Sequence, residues 1–182
     1  WDKYRITLER RLGNSQKMVR LLHDRAKASP KRLVFAEADH MDVLKAAQIV
    51  YEEGIAHPIL LGSKEKIQEL CKLIQFQDKI EIIDPKEQEK EETRKIYAKL
   101  FWDSQKRKGY TLYDAERLMR ERNYFASMMI KNGDADAMIS GYSRNYRAVV
   151  KPILETIPKS KGVGRVAATN LMLTKSGPLF LS

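Results

Sequence analysis

The chain has 182 residues, 43% of them hydrophobic, with 34 Lys and Arg against 24 Asp and Glu and a net charge of +10. That size and apolar content suit one globular domain, or one domain and an arm, and exclude a disordered chain. No apolar run reaches the roughly 18 residues of a bilayer span, no opening stretch reads as a signal peptide, and the single cysteine, Cys71, excludes a disulfide framework, so a cytoplasmic protein with no membrane partner is expected.

The basic residues are spread along the chain and mixed with acids. Lys86 to Lys95 alternates in sign and reads as a solvated helix face. No zinc-finger spacing, RNA-recognition signature or arginine-rich arm is present, so the positive charge points to an anionic small molecule and not to nucleic acid. The opening on Trp1 and the final apolar Pro178–Leu181 read as cut ends of a longer chain.

In chain order, residues 1–28 read as a charged helical connector arm. Ser15 is its candidate cap, with Met18, Leu21, Leu22 and Ala26 at helical spacing. From residue 29 to 182 strands and helices alternate. Arg32–Ala38 is a buried strand, and Asp42–Glu53 is a helix stopped by Gly54. His57–Leu61 is a second strand. Ser63 caps a helix reaching Ile74, with Cys71 on its apolar stripe as a buried thiol. Ile80–Ile83 is a third strand, followed from Asp84-Pro85 by a charged helix to Arg107 and a stop at Gly109. Thr111 caps a short helix, and Tyr124–Lys131 forms another, closed by Asn132-Gly133. Ala135–Ser140 is a fourth strand. Arg165–Leu173 and Pro178–Leu181 are two more, around a Lys175-Ser176-Gly177 turn. This alternation indicates an α/β fold, three layers α/β/α with a mostly parallel sheet, cut short at its C-terminus. Ligands of such sheets bind beyond the carboxyl ends of strands, here after Ala38, Gly62, Ser140 and Thr174.

Two of those loops carry chemistry. Glu37, Asp39, His40 and Asp42 cluster where a strand gives way to a helix. Helix capping by Asp39 or Asp42 is the expected role, ahead of a metal or acid–base site. Ser140, Gly141, Ser143, Arg144, Tyr146 and Arg147 follow an apolar strand and lead into an apolar-periodic helix. Glycine allows close backbone approach, helix N–H groups favour anions, and arginines add forked donors, so a phosphate-binding loop is expected there. Pro152 falls inside that helix pattern and should kink or delay it.

Several segments in order then resemble the phosphotransacetylase (phosphate acetyl/butyryl transferase) family. They are Lys31–Glu37, Ala46–Val50, Glu53–Gly62, Arg107–Leu112, Tyr124–Met129 and Gly133–Gly141. The arm ending Arg10-Arg11-Leu12-Gly13, the stretch Gly141–Tyr146, and Arg165–Ala168 with Leu171–Phe180 are similar to the version fused behind bacterial NADP-dependent malic enzymes. The resemblance covers nearly the whole chain but about half of the family's domain. It implies a domain that binds acetyl-CoA or a related acyl or phosphate effector, tunes an attached malic enzyme and supports a homo-oligomer. It assigns no cofactor to this segment, placing NADP and a divalent metal, Mg or Mn, in the malic-enzyme part. Ser140, Gly141, Ser143, Arg144, Tyr146, Arg147, Lys151 and Arg165 are the ligand-binding candidates. Two family arginines are replaced, by Gln105 and by Lys151 of the Lys151-Pro152 pair. Glutamine has no charge and lysine lacks the bidentate fork, so catalysis by this segment is not expected. Acetyl transfer between acetyl-CoA and phosphate by the whole protein is the alternative.

Overall fold

Four short apolar runs make a parallel sheet: β1 (Lys31–Phe35), β2 (Ala56–Leu61), β3 (Glu81–Ile83) and β4 (Ala137–Ile139), in the order β3-β2-β1-β4. The computed structural model describes residues 14–76, 80–174 and 177–182. Val34 stands opposite Ile59 and Met138, and Leu60 opposite Ile82. Successive strand residues face opposite sides. Val34, Ile59 and Leu61 therefore enter one core, while Phe35 and Leu60 enter the other. Both faces of β1 and β2 are covered, which is why these two read as apolar runs, whereas Ala137 and Ile139 of β4 are exposed.

Helices α2 (Met41–Glu52) and α3 (Lys64–Leu73) cover one face, with Leu44, Ala47 and Ile67 buried beside Phe35 and Leu60. The other face carries α4 (Glu91–Gln105), α5 (Leu112–Leu118) and α6 (Arg122–Asn132), through Tyr97, Phe101, Ala115, Phe125 and Met128. The α/β/α layering expected from the sequence is thus present. Helix α7 (Tyr146–Thr156) packs on α6.

The chain clusters into two compact units, Lys31–Pro158 and a second that joins the described residues of 1–30 to Lys159–Ser182. In the second, helix α1 (Asn14–Ala28) packs on an antiparallel hairpin of β5 (Asn170–Thr174) and β6 (Gly177–Leu181). Ser15 falls inside α1 and is not its cap. Residues 1–13, including the rest of the expected arm, and Lys175-Ser176 lie outside the described residues. The expected strand from Arg165 begins only at Asn170, because 163–169 pair with no strand among the described residues.

Local chemistry explains several boundaries. Ser63 caps α3 by accepting from the Lys66 N–H, and Thr111 and Asp114 form a reciprocal capping box on α5. Helix α4 starts at Glu91, later than the proline signal implied. The Arg94 guanidinium, itself buried, donates to the carbonyls of Pro85 (2.8 Å) and Glu87, holding that stretch out of the helix. Helix α7 is continuous through Pro152. Proline removes the N–H that would bond the Ala148 carbonyl, and the Asn123 side-chain amide donates to that carbonyl instead, at 3.2 Å.

Phe101 is fully buried, with Tyr110 and Tyr124 edge-on at 5.4 and 5.7 Å. Phe101→Ala should lower stability by about 3–5 kcal/mol, against under about 0.5 kcal/mol for Leu73→Ala at a largely exposed site. Urea unfolding of both variants checks the contrast.

Candidate functional site

The strand order places β2 on one side of β1 and β4 on the other. The connections leaving the carboxyl ends of β1 and β4 therefore diverge, and a crevice opens between them, where open α/β sheets bind ligands. Glu37, two residues beyond β1, fills that crevice and is only 3% exposed. Its Oε1 accepts from the amides of Gly141 (2.7 Å) and Tyr142 (3.0 Å). Its Oε2 accepts from the Ser143 amide (2.8 Å) and the Ser143 hydroxyl. The Ser140 hydroxyl donates to Asn123 Oδ1 at 2.7 Å, with Glu37 Oε1 at 3.3 Å. Burial alone would push the carboxyl pKa up. The Ser143 hydroxyl and the amides of Gly141, Ser143 and Tyr142 outweigh it and hold the pKa down at about 2. The anion held by this loop is therefore the chain's own carboxylate.

The neighbouring acids also have structural partners. Asp39 and Asp42 do not cap α2, whose cap residue is His40, without a side-chain cap bond. Asp39 instead accepts a forked pair from Arg122 at 2.6 and 2.7 Å, with Lys66 at 3.8 Å. Burial works to raise its pKa, and the Arg122 bonds and charge more than offset this and lower it. Asp42 accepts from the Tyr142 hydroxyl at 2.5 Å, and the Tyr142 ring lies 5.3 Å from His40. Among the described residues no group of three or more His, Cys, Asp or Glu is placed to hold a metal.

Helix α7 carries the cationic part of the site. Asn145 caps it, accepting from the Ala148 amide at 2.9 Å. Arg147 and Lys151, one turn apart, and Arg144 just before the helix line a cleft of about 270 Å³ with Asn123 and Tyr124. A second cleft, of about 390 Å³, shares Tyr124 and Lys151 and adds Lys108, Tyr110 and Arg117. Neither Arg144 nor Arg147 has an ion pair among the described residues. Lys151 lies 3.8 Å from Glu155, which also accepts from the hydroxyls of Tyr124 (2.5 Å) and Tyr110 (3.0 Å). Burial, then these bonds to Glu155 and its charge, raises the pKa of both phenols. An anion entering the cleft meets two guanidinium forks that have no ion pair among the described residues, a lysine 3.8 Å from a competing carboxylate, and Glu121 in the same lining.

The candidates thus fall into three groups. Ser140, Gly141 and Ser143 surround Glu37. Arg144, Arg147 and Lys151 line the cleft, while Tyr146, first in α7, is 80% exposed. Arg165 belongs to the second compact unit. Gln105 is buried, and its amide donates to the Glu155 carbonyl, tying the end of α4 to the last turn of α7. Its Oε1 has no hydrogen-bond partner among the described residues. Sequence reasoning missed Asn123, Arg122 and the Tyr110–Glu155–Tyr124 group. The only prior signal for Asn123 was Pro152, which had to leave one carbonyl without its helical donor.

Residues 17–182 match the phosphate acetyl/butaryl transferase family. The chain is 32% identical to a phosphate acetyltransferase of Clostridium acetobutylicum, over 86% of this chain and 46% of that protein. It is 30% identical to an NADP-dependent malic enzyme of Haemophilus influenzae, over 100% of this chain and 24% of that protein. A phosphotransacetylase structure from Streptococcus pyogenes superposes with a TM-score of 0.81 at 29% identity, covering 91% of this chain and 50% of that one. The chain spans about half the length, or less, of the relatives it matches.

Because its folded pKa is depressed from 4.5 to about 2, the stability Glu37 contributes is fully present above pH about 4.5 and is lost as pH falls towards 2. Glu37→Gln should cost about 1–3 kcal/mol at pH 7, leaving donors without their carboxylate. The gap to wild type should narrow between pH 4.5 and 2. Urea midpoints across that range test the sign, and a gap that stays constant down to pH 2 contradicts it.

Proposed function

Since this chain belongs to the phosphate acetyl/butaryl transferase family, we propose that it is an effector-binding domain of an NADP-dependent malic enzyme. It takes acetyl-CoA or a related acyl or phosphate compound and tunes oxidative decarboxylation of malate to pyruvate by the attached part. The observation that carries the binding reading is the cleft beside the β4–α7 connection, where Arg144 and Arg147 stand next to Lys151 without an ion pair among the described residues. Guanidinium forks match phosphate oxygens, and the shared Tyr124 wall offers apolar surface to the rest of the ligand. In this reading NADP and a divalent cation are held by the attached part. The whole works in the cytoplasm as a homo-oligomer.

Two observations favour a regulatory domain over a working transferase. The malic-enzyme relatives align along all of this chain, including the arm before residue 17, where the family match begins. Gln105, at the position where active transferases are expected to hold an arginine, is neutral, buried and committed to the Glu155 carbonyl. The second reading, a phosphate acetyltransferase, is favoured by the 32% identity to the Clostridium acetobutylicum protein. A CoA-dependent acetyl-phosphate assay on the full-length protein separates the two, robust turnover supporting the second.

Calorimetric titration of the full-length protein with acetyl-CoA, alongside malate oxidation assays, tests the first reading. Binding and an altered malic activity are expected. Arg147→Ala should weaken binding about 10-fold or more, the scale of one lost charge-assisted contact. No heat of binding and no change in malate oxidation would overturn the proposal.

A further inference from the structure

The cleft's cations leave open what fixes them in space. Gly141 has φ +105° and is followed by exposed residues, so packing does little to hold the chain between β4 and α7. Three consecutive amides, Gly141, Tyr142 and Ser143, nonetheless converge on one carboxylate, and Arg144 follows directly. Without that carboxylate the amides would repel one another and the segment would lose its common anchor.

We infer that Glu37 is the positioning residue of the anion cleft: it serves as a built-in anion for the loop 141–143 and so aims Arg144 and Arg147 at the incoming ligand. It touches no ligand itself. It takes up the donors of a concave loop at the crevice between β1 and β4, which leaves the side chains on the α7 side as the place where an external anion binds. The free protein then presents the backbone that carries both arginines already ordered, and the ligand need not supply that part of the ordering entropy. Asn123 supports the same geometry from α6, bonded to Ser140 on one side and to the Ala148 carbonyl on the other. This inference rests on the reading of the cleft as an anion site.

The test compares wild type and Glu37→Ala in acetyl-CoA titrations, with sodium formate added and sodium chloride at equal ionic strength as control. Formate is a free carboxylate small enough to replace the one removed. The expected result is about 10-fold weaker binding by E37A, recovered by formate and not by chloride. Unchanged affinity in E37A, or a loss that formate does not recover, overturns the inference. A role in stability alone would leave the affinity of the folded fraction unmoved. If E37A does not fold, Glu37→Gln is read instead, since it keeps the side-chain shape. Weakened binding with a native circular-dichroism spectrum then supports the inference, and wild-type affinity overturns it. Unfolding of both variants also overturns it, because Glu37 would then determine the fold and not the aim of the arginines. If wild type binds no acetyl-CoA, the reading of the cleft has failed. The melting temperature of E37A then decides the loop's part alone: a rise with formate that wild type lacks supports a built-in anion, and a flat response overturns it.

Discussion

The bond set around Glu37 ties the end of β1 to the start of α7, and the geometry of the site follows from it. One carboxylate, almost fully buried, satisfies three successive amides and the Ser143 hydroxyl. The strand order makes this possible, because β1 and β4 are neighbours whose outgoing connections part company. In a fold that would otherwise leave a crevice lined by unpaired donors, the chain supplies its own acceptor. Arg144, Arg147 and Lys151 stand outside that bond set, in the lining of the neighbouring cleft.

A second layer of polar bonds carries the same order into the helices. Pro152 deprives Ala148 of its helical donor, and Asn123 replaces it. Gln105 and the two phenols of Tyr110 and Tyr124 engage the backbone and side chain of Glu155, closing the far end of α7 against α4 and α6. Helix α7 is therefore held just before its start by Glu37, in its first turn by Asn123 and in its last turn by Gln105, Tyr110 and Tyr124. The apolar core beneath, with Phe101 edge-on to both tyrosines, sets the spacing between those elements.

Much of the sheet could be read from sequence because its causes are local. A parallel strand covered on both faces is a short apolar run, as Leu33–Phe35 and Ile59–Leu61 are. Ser63 and Thr111 cap helices through bonds three residues long. The acidic cluster could not be read that way. Glu37 meets Gly141 across 104 positions and Asp39 meets Arg122 across 83, so capping was the expectation a local reading had to give. The donor-rich segment Ser140–Arg147 was visible, yet only the fold shows that half of it faces an internal carboxylate and half a cleft. Pro152 signalled a disturbed helix, and a distant asparagine removed the disturbance.

The phosphotransacetylase fold is retained, with its crevice at the carboxyl ends of β1 and β4. Within that frame Gln105 is an interior tie, and Lys151 shares its charge with Glu155. The Glu37 carboxylate by itself holds the loop 141–143. Residue-resolved hydrogen exchange on the ligand-free protein tests this most directly. The amides of Gly141, Tyr142 and Ser143, although in exposed residues, should exchange far more slowly than those of an unstructured peptide. Exchange of all three at unstructured-peptide rates would contradict it.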